Sequence, residues 1–126
     1  QAVHNANSTR GRQRRVKDYG WTEDGRIYID TYIPERADQI PSLVIGIPSD
    51  YRDLFNTNEK YSAEDMSGHE FQQIGFSSNG ENINCHNFGA FLKVRGAEAN
   101  DIFRVEFDLD TRTAYLDLRT GESAIQ

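Results

Sequence analysis

An all-β domain, a single antiparallel sandwich or barrel with little helix, is the fold class this sequence predicts. Three observations lead there. Short segments alternate apolar and polar residues with a period of two, turn signals recur between them, and no long segment sustains a helical period. The alternative is an α+β domain, should residues 50–73 hold more helix than their composition suggests.

The chain has 126 residues, the length of one domain. Leu, Ile, Val and Phe number 28, just above the level at which disorder is suspected, and 26 of them follow residue 17. Charge divides at the same place. Residues 1–17 carry five basic and no acidic side chains, and the remaining 109 carry nine basic against twenty acidic. The expected organisation is a flexible basic arm over 1–17, with Arg10, Arg12, Arg14, Arg15 and Lys17, followed by one acidic β-rich domain over 18–126. An acidic body repels phosphate backbones, so nucleic acid could be held through the arm only.

Taken in order, Tyr19–Glu23 and Arg26–Ile33 flank Asp24-Gly25, a strong short hairpin signal. The second run places Ile27, Ile29, Thr31 and Ile33 on one face and Tyr28, Asp30 and Tyr32 on the other. Ser42–Ile47 is an apolar run between Pro41 and Pro48, too short for an ordinary helix, and reads as a buried strand. Ser49 or Asp50 can cap a helical turn through Asp53–Phe55. Ser62 followed by Asp65 predicts a short helix ending near residue 67, and HEFQQIGF a strand over 69–76.

Asn79, Asn82, Asn84 and Asn87 then crowd into nine residues, a composition that makes a long loop or a pair of hairpin turns. Three alternating segments close the chain. Ala90, Leu92 and Val94 form the first, Phe103, Val105, Phe107 and Leu109 the second, and Ala114, Leu116 and Leu118 the third, which together predict an antiparallel three-stranded meander. Its outward face mixes Lys93, Arg95, Arg104 and Arg119 with Glu106, Asp108 and Asp117, which suits cross-strand ion pairing.

Catalytic residue types adjoin only in His69-Glu70 and Cys85-His86. Neither pair has the CxxC or HExxH spacing that sets ligands on one face, so no metal or cofactor is expected. Cys85 is the only cysteine, so no disulfide closes within the chain, and a reducing compartment fits without excluding secretion. Glu106, Asp108 and Asp110 share one face but sit beside arginines, as on an ordinary solvated strand. No apolar run approaches the roughly 20 residues of a membrane helix, so the chain reads as soluble with no membrane partner. Gln1 in place of methionine is the mark of a processed form or fragment, and Asn7-Ser8-Thr9 matches a glycosylation acceptor.

Binding residues are easier to nominate than catalytic ones. Trp21, Tyr28 and Tyr32 would form an aromatic patch on the first hairpin, and the four asparagines offer amides to a polar ligand. The leading expectation is a non-enzymatic interaction or assembly module whose basic arm binds an acidic protein partner or a second copy. Alternatives are an extracellular carbohydrate or polar-ligand binder using those aromatic and asparagine residues, and a small enzyme centred on His69, Glu70 and His86. Tyr19-x-Trp21-Thr22, followed by a strand and Pro34, resembles the opening of the CS-type co-chaperone β-sandwich, which implies a protein partner. The resemblance spans residues 19–34 and assigns no further residue.

Overall fold

The computed structural model describes residues 16–120. Its strands are β1 (Val16–Trp21), β2 (Ile27–Tyr32), β3 (Ile45–Gly46), β4 (Tyr61–Asp65), β5 (Glu70–Asn79), β6 (Asn82–His86), β7 (Ile102–Asp108) and β8 (Thr113–Arg119). A short helix, α1 (Gly89–Arg95), joins β6 to β7, and 3-10 turns occupy Ala37–Gln39 and Ser49–Leu54. Arg10, Arg12, Arg14 and Arg15 of the arm, and Asn7, lie outside the described residues.

The strands make one nearly closed, barrel-like sheet in the order β1-β2-β7-β8-β4-β5-β6-β3. The all-β expectation holds. Alternation explains the central wall: Ile27 and Ile29 of β2, Phe103, Val105 and Phe107 of β7, and Ala114 and Leu116 of β8 are all buried on one face. Phe107 sits at the centre of an aromatic cluster, with ring centroids 5.0 Å from Phe55, 5.4 Å from Tyr61 and 6.0 Å from Phe76. At the other end, Phe88 and Phe91 pack on Phe103 at 5.0 and 5.7 Å.

Several expectations are corrected. Residues 89–95 are helical, so the C-terminal unit is a β7–β8 hairpin and not a three-stranded meander. The helix ends in a Schellman motif: Gly96 has φ +66°, its N–H reaches the Lys93 carbonyl, and Ala97 N–H reaches that of Leu92. Residues 61–65 are strand, not helix, because Tyr61, Ala63 and Asp65 alternate inward. Asp65 does not cap a helix with Ser62; its Oδ1 accepts the N–H groups of Ser67 and His69 and fixes the turn into β5.

β4 also pairs with β8 in parallel, so the sheet is mixed and not wholly antiparallel. The run 42–47 contributes only two paired residues as β3, although Leu43, Ile45 and Ile47 are buried as expected. The asparagine-rich stretch is a tight hairpin: Asn79 pairs with Asn82 across Gly80-Glu81, with Gly80 at φ +68°. Val16 and Lys17, assigned by sequence to the arm, are the first two residues of β1.

Candidate functional site

The first hairpin decides where its aromatic residues point. Thr22 N–H donates to the Arg26 carbonyl at 2.8 Å, leaving a three-residue loop, Glu23–Gly25, that ends on Gly25 at φ +86°. Trp21 therefore faces Ile27, and Tyr19 faces Ile29. Both aromatic side chains lie on the inward face, at its rim. Tyr51, from the 3-10 turn Ser49–Leu54, meets them edge-on with centroids 5.7 Å from Tyr19 and 5.8 Å from Trp21. Half of Trp21 (51%) stays exposed.

Carboxylates border this rim. Glu23 and Asp24 follow Trp21 and Thr22 in the turn, and Tyr51 stands between Asp50 and Arg52, with Asp53 next along the chain. Burial raises the Tyr19 hydroxyl above its ordinary pKa, and Asp50, Tyr51 and Asp18 add to the rise; burial and then Asp50 raise Tyr51. Asp50 thus acts on both rings of the rim. A half-exposed indole with a carboxylate close to its ring neighbours suits a guanidinium or ammonium group. Sequence reasoning found Trp21 but missed Tyr51, whose only signal was one aromatic residue in a charged turn, Asp50-Tyr51-Arg52-Asp53.

Tyr28 and Tyr32 do not join Trp21. Tyr28 lies opposite Gly20, on the outer face, where an added Cβ on Gly20 would come within 3.2 Å of its ring. Its hydroxyl donates to Asp18 Oδ2 at 3.1 Å, and the Arg104 guanidinium lies 4.2 Å from its centroid. Tyr32 is exposed at the far end of β2, and Lys17 is exposed on β1. The expected patch is split between two faces of the sheet.

The outer face is instead an ion-pair lattice. Arg104 grips Asp30 through two bonds, of 2.7 and 3.0 Å, although Asp30 is only 2% exposed. Arg119 approaches the same carboxylate at 3.6 Å, and Arg26 reaches Glu106 at 3.1 Å while stacking on Tyr115. Glu106 is thus engaged, and Asp108 caps the β7–β8 turn through the N–H groups of Asp110 and Thr111. All seven arginines among the described residues make ion pairs with carboxylates.

The asparagines also separate. Asn82 and Asn84 line a cavity of about 310 Å³ between the two ends of the sheet, together with Val16, Gln39, Ser42 and Gly46. Asn79 is exposed at the hairpin tip. Asn87, at φ +87°, spends its amide on the Gln73 carbonyl.

His69, Glu70 and His86 are not brought together. His86 lies opposite Gly75, five residues along β5 from Glu70, a separation of about 16 Å at the rise of a strand. His69 is instead 3.6 Å from Asp65. Burial works against a charge on Asp65, but bonds from His69 N–H, the Arg95 guanidinium and Ser67 N–H outweigh it and hold its carboxyl below the usual range. Cys85 is fully buried and donates to the Ile45 carbonyl, and burial pushes its thiol up, which disfavours the nucleophilic thiolate. Among the described residues no three His, Cys, Asp or Glu side chains converge on a metal position, and no helix is long and apolar enough to cross a membrane.

No family model matches the sequence, and a search of curated proteins returns no match. Among solved structures, the chain is similar to a hypothetical Arabidopsis thaliana protein, At1g16640.1, with 18% identity, a TM-score of 0.52, and coverage of 74% of this chain and 91% of that one. It is also similar to the Arabidopsis FUS3–DNA complex, with 17% identity, a TM-score of 0.48, and coverage of 71% and 97%. The likeness to the first is one of fold.

Proposed function

We propose that this chain is a non-enzymatic interaction module whose acidic aromatic rim, Tyr19, Trp21 and Tyr51, receives an Arg- or Lys-bearing protein segment. The chain's own basic arm, in a second copy, is the segment of that chemistry closest at hand. The observation that carries the reading is the half-exposed Trp21, braced edge-on by Tyr51, with Asp50 acting on Tyr51 and Glu23 and Asp24 close by in sequence. Exposed aromatic anchors of this kind concentrate binding energy at interfaces.

The test is light scattering on the full chain and on a variant lacking residues 1–15, which leaves β1 whole. The screening length falls from about 10 Å at 0.1 M salt to about 3 Å at 1 M, so arm-mediated association weakens across that range. A synthetic peptide of residues 9–18 should bind the shortened variant, and Trp21→Ala should abolish that binding. Monomers of both proteins at every salt concentration, together with no peptide binding, would refute the reading.

A second reading is nucleic-acid binding through the arm, supported by its four arginines and Lys17. The described residues hold ten basic against nineteen acidic side chains, so affinity would reside in the arm. With five phosphate contacts at most, log K should fall against log salt with a slope no steeper than roughly −4.5 on duplex DNA. Binding that survives removal of residues 1–15 would sink this version.

A further inference from the structure

β1 and β3 are the two ends of the sheet, and the cavity of about 310 Å³ occupies the seam between them, touching Val16 of β1 and Gly46 of β3. The pairing of β3 determines what faces that seam. Ile47 N–H donates to the Ile83 carbonyl at 2.8 Å, and Ile45 stands opposite Cys85. Hydrogen bonding alternates along an antiparallel strand, so Ile45 and Ile47 direct their backbone groups to β6, whereas those of Val44 and Gly46 point outward. Val44 and Gly46 line the cavity together with Leu43 and Ile47, so the outward direction of the Val44 and Gly46 backbone groups rests on the pairing of β3 with β6. Val44 is also 46% exposed.

The described side chains around this edge are all uncharged. Gln39, Asn82 and Asn84 present amides and Ser42 a hydroxyl, beside aliphatic walls from Val16, Leu43 and Ile83, and none of the described lining residues is charged. Amides pair equally with the N–H and C=O of another backbone. A charge brought here would lose hydration with no opposite charge among the described lining residues to offset it.

We propose that the seam binds a short, uncharged, extended segment of a protein partner, added as a strand beside β3. Strand addition draws affinity from main-chain hydrogen bonds and selectivity from the pockets beneath alternate side chains. Pro41 and Pro48, which lack N–H groups, bound the available edge, so the site reads only a few residues and does not template open-ended pairing. The arginine-rich arm is the wrong chemistry for this position, and the seam stands independently of the acidic rim.

The test pans a phage-displayed random heptapeptide library against the full chain and resynthesises the enriched sequence. The enriched peptide should be uncharged over its binding core and should slow hydrogen exchange at the Val44 and Gly46 amides. N-methylation at alternate peptide residues should weaken binding about ten-fold, with little effect at the residues between, because only every second N–H faces β3. Val44→Pro removes one outward donor and should weaken binding similarly; the methylated peptides give the same information without altering the protein. No enrichment, a basic peptide that depends on Trp21, methylation effects without alternation, or protection at Tyr19 and Trp21 instead would each overturn the proposal.

Discussion

The wall formed by β2, β7 and β8 and the seam between β3 and β1 are built from the same chain to opposite ends. β2 pairs with β7 over six residues and β7 with β8 over seven, whereas β3 pairs with β6 over two. The wall is closed on both faces: aromatic and branched side chains fill the inside, and the Asp30–Arg104–Glu106–Arg26 lattice covers the outside. The seam has a cavity, outward backbone groups and a half-exposed valine. Stability is concentrated where both faces are occupied, and binding capacity remains where one is left open.

The largest way to break this contrast is to empty the wall. Phe107→Ala removes the ring shared by Phe55, Tyr61 and Phe76, and should cost about 4 kcal/mol, read as a fall in Tm of roughly 15 °C. A shift of only a few degrees would mean that the cluster collapses onto the gap. On the outer face, Asp30→Ala leaves the Arg104 guanidinium without its bidentate partner. The expected loss is about 3 kcal/mol, the lower end for a broken buried pair because Arg104 keeps about a quarter of its side chain in water. A double-mutant cycle with Arg104→Ala measures the coupling, and independent effects would show that the lattice is decorative.

A smaller effect is read by pH at Tyr61 of β4, whose ring packs on Phe107 of the wall. Burial pushes the Tyr61 hydroxyl up to about 12, with Glu59 adding to the rise and Arg112 opposing it. The folded state thus holds a proton that the unfolded chain releases at 10. The resulting stability is complete below pH 10 and is lost as pH rises from 10 toward 12. Tyr61→Phe should remove that alkaline loss, visible in urea midpoints taken across this window. At the acid end Asp65 has the opposite sign: its depressed pKa stabilises above 3.8, and that contribution fades as pH falls below it.

The same contrast governs what could be read from the residues. β2, β7 and β8 were legible because one face is dry and the other wet, so the period of two is imposed by water. In 90–95 an equally regular alternation misled: the helix buries Phe91 and Leu92 side by side and leaves Val94 exposed. Gly96 and the basic residues Lys93 and Arg95 in the last turn were helix-ending signals that alternation overrode. β4 was hidden by Ser62 and Asp65, whose capping spacing is also that of two strand residues. Parity decided the aromatic patch. A two-residue Asp24-Gly25 turn would pair Trp21 with Tyr28, whereas the observed three-residue loop pairs it with Ile27, and one residue of register moves a side chain across the sheet. The rim and the seam were illegible for a further reason, since both are assembled from segments distant in the chain.

The smallest effect on stability is expected to be the largest on binding. Trp21 ends an edge strand, keeps half of its surface in water and contacts Tyr51 at the rim, so Trp21→Ala should change stability by no more than about 1 kcal/mol. The same substitution removes the only exposed indole from the acidic border and should eliminate binding of the residue 9–18 peptide. Tyr28→Phe is the informative companion. It deletes a hydroxyl bonded to Asp18 on the opposite face, and should alter stability by about 1 kcal/mol while leaving peptide affinity unchanged. If Tyr28→Phe weakens the peptide as much as Trp21→Ala does, the binding surface wraps the strand edge, and the division between an outward lattice and a rim-borne site fails.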